Sequence, residues 1–197
     1  GYEIGRDDTA DKKYKAKEIR KEAHTINLSK EICFRSQVNE NFIKKRAFKV
    51  PFSKFDTMTI LEKIALALPA VESPARYMGG EANSVVNDHS QMLCRMAFVF
   101  PDTYEIGMSN NGIRILYHVI NRESDLLCEV SFAPWDDMAR EMAKYDIPLY
   151  SYATYTPVRD FEVVGMTLQT ELNFTNVPYV LELARIPAWQ KDRKEVK

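Results

Sequence analysis

The residues best suited to chemistry lie between positions 101 and 112, where a polar segment separates two apolar patterns. The apolar run Met96 to Phe100 ends at Pro101. A helical spacing then follows at Ile113, Leu116, Tyr117 and Ile120. This order predicts a strand, a loop and a helix. In an open parallel sheet, the loop after the first strand lies at the edge where such folds bind ligands, so we expect a binding site here.

A second loop, residues 169–175, follows the third predicted strand and should be a neighbour of the first. The candidate ligand-binding residues in the two loops are Asp102, Tyr104, Glu105, Gly107, Ser109, Asn110, Gln169, Glu171 and Asn173. Glu105, Asp136 and Glu171 could meet at this edge, but helix capping explains carboxylates at helix starts equally well. We therefore assign no catalytic acid or base.

The spacing Asp102-x-Tyr104-x-x-Gly107 is that of the Asp-x-His-x-x-Gly motif of cobalamin-binding domains, with tyrosine in the histidine position. A neutral imidazole ligates cobalt through a basic nitrogen, whereas a phenol with an ordinary pKa of about 10 is a much poorer ligand. We expect any corrinoid bound here to lack an axial histidine from this loop. The alternative is a loop that merely links strand to helix.

Other metal chemistry has little support in the sequence. His118 falls in the helix after the loop, where a surface or core histidine is more common than a ligand, and His24 and His89 have no metal-ligand neighbours. The cysteines, Cys33, Cys94 and Cys128, are too far apart for a zinc or iron–sulfur motif and fit a reducing cytosol. No apolar run approaches the roughly 18 residues of a membrane span. We expect a cytoplasmic protein with no metal site of its own.

Three apolar segments, near 95–100, 126–132 and 163–168, predict the strands that position the loops. Helices should begin near Ile113, Trp135 and Val177, with Pro178 close to the start of the third. The segments between the strands are long enough for crossovers, so we predict an α/β fold: an incomplete flavodoxin-like, cobalamin-binding-like parallel sheet of order 2-1-3 with an N-terminal helical or irregular extension. The predicted core comprises Phe98, Ile113, Leu116, Val130, Val164 and Leu181.

The two parts of the chain differ in net charge. Residues 1–57 hold 14 Lys or Arg against 9 Asp or Glu, and residues 58–197 hold 13 against 19, giving +5 and −6. We expect residues 1–57 to be a basic leader that folds independently or not at all; its cluster Lys44 to Arg46 could contact nucleic acid, although a solvated leader is the simpler interpretation. Residues 58–94 should form a helix and loop extension, with a capping box at Thr59 and Glu62 and a turn at Gly79-Gly80. Residues 95–197 should form a truncated α/β domain.

Several segments together resemble the N-terminal part of a family of bacterial radical SAM proteins, from about Met58 to Pro187. The segments that carry the resemblance are Pro74 to Asn83 (PARYMGGEAN), Phe100 to Asn110 (FPDTYEIGMSN), Ile115 to Asn121 (ILYHVIN), Phe132 to Trp135 (FAPW), Pro148-Leu149 and Gly165 to Asn176 (GMTLQTELNFTN). Residues 1–57 match nothing in the family, which suggests added or mis-started sequence.

The resemblance implies a cobalamin-binding-like domain ahead of a radical SAM barrel. That barrel would hold a four-iron four-sulfur cluster on Cys-x-x-x-Cys-x-x-Cys and cleave S-adenosylmethionine. The motif is absent from this chain, so the implied fragment would bind neither group. The first hypothesis is the N-terminal domain of a radical SAM enzyme, lacking the barrel, with the barrel as its partner and an RNA or a protein as candidate substrate. The alternative is a cofactor-free binding module that uses the same edge for a protein or RNA.

Overall fold

The computed structural model describes residue 55 and residues 57–193. The basic leader predicted for residues 1–57 lies almost entirely outside this part. Its described residue Phe55 packs edge-on against Tyr145, with ring centroids 5.1 Å apart. No helix among the described residues is both long and apolar enough to cross a membrane.

A parallel sheet of three strands, in the order β2-β1-β3, organises the described residues. The strands are β1 Cys94–Phe100, β2 Leu126–Phe132 and β3 Val163–Met166. Phe98 in the central strand is in register with Val130 on one side and Gly165 on the other. The α/β class, the parallel pairing and the 2-1-3 order predicted from the sequence are confirmed.

Five α-helices surround this sheet within the described residues: α1 Ile60–Ala67, α2 Tyr104–Ser109, α3 Asn111–Asn121, α4 Asp136–Tyr145 and α5 Leu172–Leu183. The predicted capping box begins α1, because Thr59 accepts from the Glu62 N–H and the Glu62 side chain accepts from the Thr59 N–H. Short 3-10 turns lie at Leu68–Ala70, Pro74–Tyr77, His89–Gln91, Val158–Asp160 and Gln190–Asp192.

The prediction that Leu116 is buried is wrong, since 48% of it is exposed. Helix α3 turns Ile113, Tyr117 and Ile120 toward the core, and Leu116 lies on its flank. The side chain of Asn121 holds this rotation: it donates to the carbonyl of Cys128 at 3.0 Å and accepts from the N–H of Cys128 at 2.9 Å. These bonds fix one flank of α3 at the β2 edge and leave the other flank in solvent.

Of the other five predicted core residues, three are buried and two are only half-buried. Phe98, Ile113 and Leu181 are buried, whereas Val130 and Val164 are only half-buried. Strand β3 is half-buried at all four positions and ends at Met166, two residues before the predicted end. It pairs with β1 as far as Val99, and Pro101, which has no N–H, interrupts β1 shortly afterwards.

Two predicted helix starts also need correction. The predicted loop at 101–112 contains the six-residue helix α2, followed at once by α3, whose start is capped by Asn110 accepting from the Ile113 N–H. Helix α5 begins at Leu172, five residues before the apolar pattern at Val177, so that Pro178 lies inside the helix instead of near its start. Because proline has no N–H, it cannot donate to the carbonyl four residues earlier. The turns on either side of Pro178 therefore hold this helix together.

The core lies where α1 and α4 pack together beside the sheet. Ile64 and Ala67 of α1 and Met138 and Met142 of α4 are almost completely buried. On the outer edge of β2, the N–H of Tyr152 donates to the carbonyl of Val130 at 2.9 Å. Together with Asn121, Tyr152 satisfies backbone groups that an edge strand would otherwise expose.

Candidate functional site

Side-chain hydrogen bonds join the two loops at the carboxyl ends of β1 and β3. Asn173 donates to the carboxylate of Asp102 at 3.1 Å, and Asn110 donates to the side-chain carbonyl of Gln169 at 2.6 Å. Asn176 adds a third link by donating to the carbonyl of Pro101 at 2.8 Å. The two predicted loops are therefore neighbours, and the polar groups of four candidate residues bond to one another.

Asn173 organises the loop after β3. It is 2% exposed, and its side-chain oxygen accepts from the N–H and the hydroxyl of Thr170 at 3.3 and 3.2 Å. The other oxygen of Asp102 accepts from the N–H of Thr103 at 2.8 Å. Asp102 and Asn173 thus fix the start of α2 and the start of α5 at once.

Tyr104 begins α2 and points into an aromatic cluster. Its ring meets Phe132 edge-on at 5.6 Å and stacks with Tyr152 at 6.1 Å. Its hydroxyl donates to the carboxylate of Glu81. Burial, followed by the hydrogen bond to Glu81, raises the pKa of Tyr104 to about 12. The phenol therefore stays protonated at neutral pH, and Glu81 is its partner.

Residues 74–83, which we name the cover segment, lie against α2 and the end of β2. Arg76 forms an ion pair with Glu105 of α2, and its guanidinium lies over the ring of Trp135 at 5.4 Å. The hydroxyl of Tyr77 accepts from the N–H of Trp135 at 3.3 Å. The cover segment therefore occupies part of the edge at which the sequence predicts a ligand.

Close backbone contact holds the cover segment in place. Gly79 and Gly80 both have positive φ, at 61° and 74°, a region that favours glycine. A Cβ on Gly79 would overlap the carbonyl oxygen of Tyr152, whereas a Cβ on Gly80 would meet nothing within 4 Å. The turn predicted at Gly79-Gly80 lies instead at residues 82–83, and Gly79 permits the close approach to Tyr152.

The other candidate residues take separate positions. Burial raises the pKa of Glu105. The hydrogen bonds that its carboxylate accepts from its own backbone N–H and from Arg76 together have a larger opposite effect, so the pKa is lowered overall. Ser109 donates to the carbonyl of Ile106 at 2.9 Å within α2. Glu171 is exposed at the N-cap of α5, and its side chain makes no capping bond there. Asp136 lies in the first turn of α4.

Gly107 is buried inside the fold. A Cβ at this position would overlap the ring of Phe132 and would lie 3.2 Å from the ring of Phe100. The sequence places this glycine among the candidate ligand-binding residues. In the structure it allows α2 to approach the aromatic side chains at the ends of β1 and β2.

At this edge, none of the described side chains is placed as an axial ligand for the cobalt of a corrinoid. Tyr104 takes the motif's histidine position, but its protonated hydroxyl donates to Glu81. Gly107 faces Phe132, and His118 is exposed on α3. No group of three His, Cys, Asp or Glu in the described residues could hold a metal ion. Burial raises the pKa of the Cys128 thiol to about 12, which disfavours the thiolate that a cluster would require.

A polar cluster around Glu129 was not predicted. Glu129 is completely buried in β2, and its carboxylate accepts from His89 Nε2 at 2.6 Å and from the Thr154 hydroxyl at 2.8 Å. Arg95 approaches His89 Nδ1 at 3.1 Å and forms an ion pair with Glu162 at 2.5 Å. A charged residue in the middle of the apolar strand LLCEVSF was the signal for this cluster. Each polar side chain in it has a partner, so it stabilises the packing of residues 89–95 and 151–162 on the sheet.

Part of the chain matches a known family model. Residues 112–197 match the family model described as radical SAM proteins, N-terminal. This range spans nearly all of α3 and the whole of β2, α4, β3 and α5. No curated protein and no solved structure matches the chain.

Proposed function

We propose that this chain is a cofactor-free recognition domain of a radical SAM enzyme, because residues 112–197 match the family model described as radical SAM proteins, N-terminal. Its carboxyl edge would bind a protein surface, either the catalytic domain or a protein substrate. The observation that carries the proposal is that the polar side chains of the candidate residues form hydrogen bonds within the protein. Asp102 bonds to Asn173, Asn110 to Gln169 and Tyr104 to Glu81.

Exposed apolar side chains at the same edge support a protein partner. We name Met78, Ile106, Trp135 and Leu172 the edge surface; each is between 49% and 79% exposed. Arg76 lies near three of these four residues. It lies two residues before Met78, pairs with Glu105 beside Ile106, and covers the ring of Trp135. Clustered apolar groups with an aromatic anchor and an arginine are typical of protein interfaces.

Charge favours a protein over RNA. Residues 58–197 carry 13 basic and 19 acidic side chains. RNA binding depends on neutralising phosphates with Lys and Arg, and this part of the chain has a deficit of both. An RNA partner would have to be held against a net charge of −6.

The first experiment tests the absence of a bound corrinoid. The full chain is titrated with hydroxocobalamin and followed by its absorption spectrum and by co-elution in gel filtration. We expect no spectral change and no co-elution. A Tyr104→His variant, which restores the motif histidine, serves as the matched comparison. Cobalamin that co-elutes with the wild-type chain would support the cofactor-binding hypothesis instead.

The second experiment tests the partner. The reading frame that encloses or neighbours this chain is expected to encode Cys-x-x-x-Cys-x-x-Cys, and its protein product is the binding partner to measure by calorimetry. Trp135→Asp should weaken binding by tenfold or more, roughly the effect of an interface anchor. Val86→Asp, at an exposed apolar residue ahead of β1, is the control. Equal affinities for the wild type and both variants, or preferential binding of RNA, would contradict the proposal.

A further inference from the structure

Four tyrosine rings form a continuous row beside the carboxyl edge. The centroid distances are 6.1 Å from Tyr104 to Tyr152, 5.9 Å from Tyr152 to Tyr150 and 6.1 Å from Tyr150 to Tyr155. Tyr152 and Tyr150 in the middle are 4% and 2% exposed, while Tyr104 and Tyr155 at the ends are half-buried. The row therefore connects two partly solvated phenols through the buried interior.

The hydroxyls of the row differ in what can accept their protons. Tyr104 donates to the carboxylate of Glu81. Tyr150 donates to the carbonyl of Tyr77 at 3.3 Å, and Tyr155 donates to the carbonyl of Met78. A carboxylate is a Brønsted base that can accept the proton of a phenol as the phenol is oxidised, whereas an amide carbonyl is only a hydrogen-bond acceptor. Of these three phenols, Tyr104 has a proton acceptor in place.

We propose that Tyr104 is a redox-active tyrosine, whose one-electron oxidation is coupled to transfer of its phenolic proton to Glu81. The neighbouring rings of Tyr152, Tyr150 and Tyr155, with centroids about 6 Å apart, carry the oxidising equivalent between the ends of the row. This inference goes beyond the recognition role and does not depend on it, because it concerns the chain's own residues.

The step balances with a peroxyl radical as the oxidant. The O–H bond of Tyr104 breaks, the proton forms the carboxylic acid of Glu81, and one electron leaves the ring, so that a neutral tyrosyl radical remains. The electron reduces the peroxyl radical to a peroxide anion, which takes a proton from water to become a hydroperoxide. Return of one electron from an external thiol or other reductant, with the proton from Glu81, restores the phenol.

The resting state of Tyr104 suits this step. Its raised pKa, about 12, keeps the phenol neutral, so the proton leaves only when the electron does. Oxidised phenols are far stronger acids than phenols, and a hydrogen-bonded carboxylate accepts the proton without movement of either side chain. The edge-on contact of Phe132 with Tyr104 and Tyr152 keeps the two tyrosine rings stacked.

A flash-quench experiment on the full chain tests the proposal. Photogenerated tris(bipyridine)ruthenium(III) is the oxidant, and electron paramagnetic resonance and the absorption of the neutral tyrosyl radical are the readouts. We expect a tyrosyl radical in the wild type and its loss in Tyr104→Phe. Glu81→Gln keeps the size of the acceptor but removes its basicity, so radical formation should slow by roughly a hundredfold, the low end of what a positioned proton acceptor contributes. Glu81→Asp should recover part of the rate.

A matched control separates this role from packing. Tyr117 is half-buried and its hydroxyl accepts from the N–H of Val85 at 2.7 Å; Tyr117→Phe should leave the radical unchanged. Circular dichroism and thermal unfolding establish that each variant is folded. A radical of the same yield in Tyr104→Phe, or a rate unaffected by Glu81→Gln, would show that the row only packs. Neither result bears on the cobalamin titration, which tests the recognition proposal separately.

Discussion

The side-chain amide of Asn173 donates to the carboxylate of Asp102 across 3.1 Å and thereby joins the start of α5 to the end of β1. Both residues follow strands that are neighbours in the sheet. The bond spans the crevice between β1 and β3, which is where parallel α/β sheets usually bind ligands. The crevice is therefore a structural junction in this protein.

Removing this junction should destabilise the domain. Asn173→Ala deletes the bond to Asp102 and the acceptor for Thr170 at a site that is 2% exposed. We expect a loss of about 1–3 kcal/mol in the free energy of unfolding, because buried polar groups lose their partners. Urea denaturation measures it. Asn87→Ala, at an exposed position, should change the free energy by less than about 0.5 kcal/mol, and equal effects of the two would contradict the assignment.

The glycine pair of the cover segment offers a matched comparison. Gly79→Ala and Gly80→Ala both place a side chain at positive φ, which costs about 1–2 kcal/mol. Gly79→Ala should cost distinctly more, because its Cβ would also overlap the Tyr152 carbonyl oxygen, whereas Gly80 faces open space. The difference between the midpoints of thermal unfolding measures the close approach. Equal midpoints would show that the cover segment does not lie against Tyr152 in solution.

Gly107→Ala tests the buried face of α2. Alanine normally stabilises a helix interior relative to glycine by about 1 kcal/mol. Here we expect a net loss of about 1–3 kcal/mol, because the added Cβ overlaps the Phe132 ring. Gly112→Ala is the control, since its Cβ would lie 3.1 Å from the Asn110 side-chain oxygen, and it should be milder. A stabilised Gly107→Ala variant in chemical denaturation would be inconsistent with this packing.

The ion pair of Glu162 and Arg95 should make stability depend on pH. Burial raises the pKa of Glu162, but the hydrogen bonds from the side chain and backbone of Arg95 outweigh it and lower the pKa. Since the folded-state pKa is below the unfolded value of about 4.3, the contribution is present above that value and is lost as the pH falls through the folded-state pKa.

Glu162→Gln should therefore reduce the loss of stability between about pH 5 and about pH 3, as measured by urea unfolding across that range. In an Arg95→Ala background the same substitution should have little further effect on the pH dependence, because the group that lowers the pKa is gone. An unchanged pH profile in the single variant would mean that other carboxylates control acid unfolding.

The sheet could be predicted from the sequence because its signal is local. Each strand is a short apolar run bounded by Pro or polar residues, and the crossover rule then leaves few arrangements. The rotation of α3 could not be predicted in the same way, because Ile115, Leu116 and Val119 give the helix a second apolar flank. The side-chain bonds of Asn121 to β2, which decide between the flanks, depend on tertiary structure.

The candidate site shows the same limit. The contact of Asn110 with Gln169 follows from the strand order, so neighbouring loops could be predicted. The contact of Tyr104 with Glu81 depends on the path of the cover segment across α2, and nothing in the spacing of the loop indicates it. The motif at residues 102–107 could therefore be placed at the carboxyl edge of the sheet from the sequence, whereas the hydrogen-bond partners of its residues depend on tertiary structure.

Because Asn121 and Tyr152 bond to the outer edge of β2, an additional strand would join this sheet more readily beside β3 than beside β2. Cys128 and Val130 already have hydrogen-bond partners on that side, so an incoming strand would have to displace them. Beside β3, the described residues form no further ladder. A strand contributed by another segment of the protein, or by another protein, would extend the sheet from Val163–Met166 and would place its own following loop next to residues 169–175.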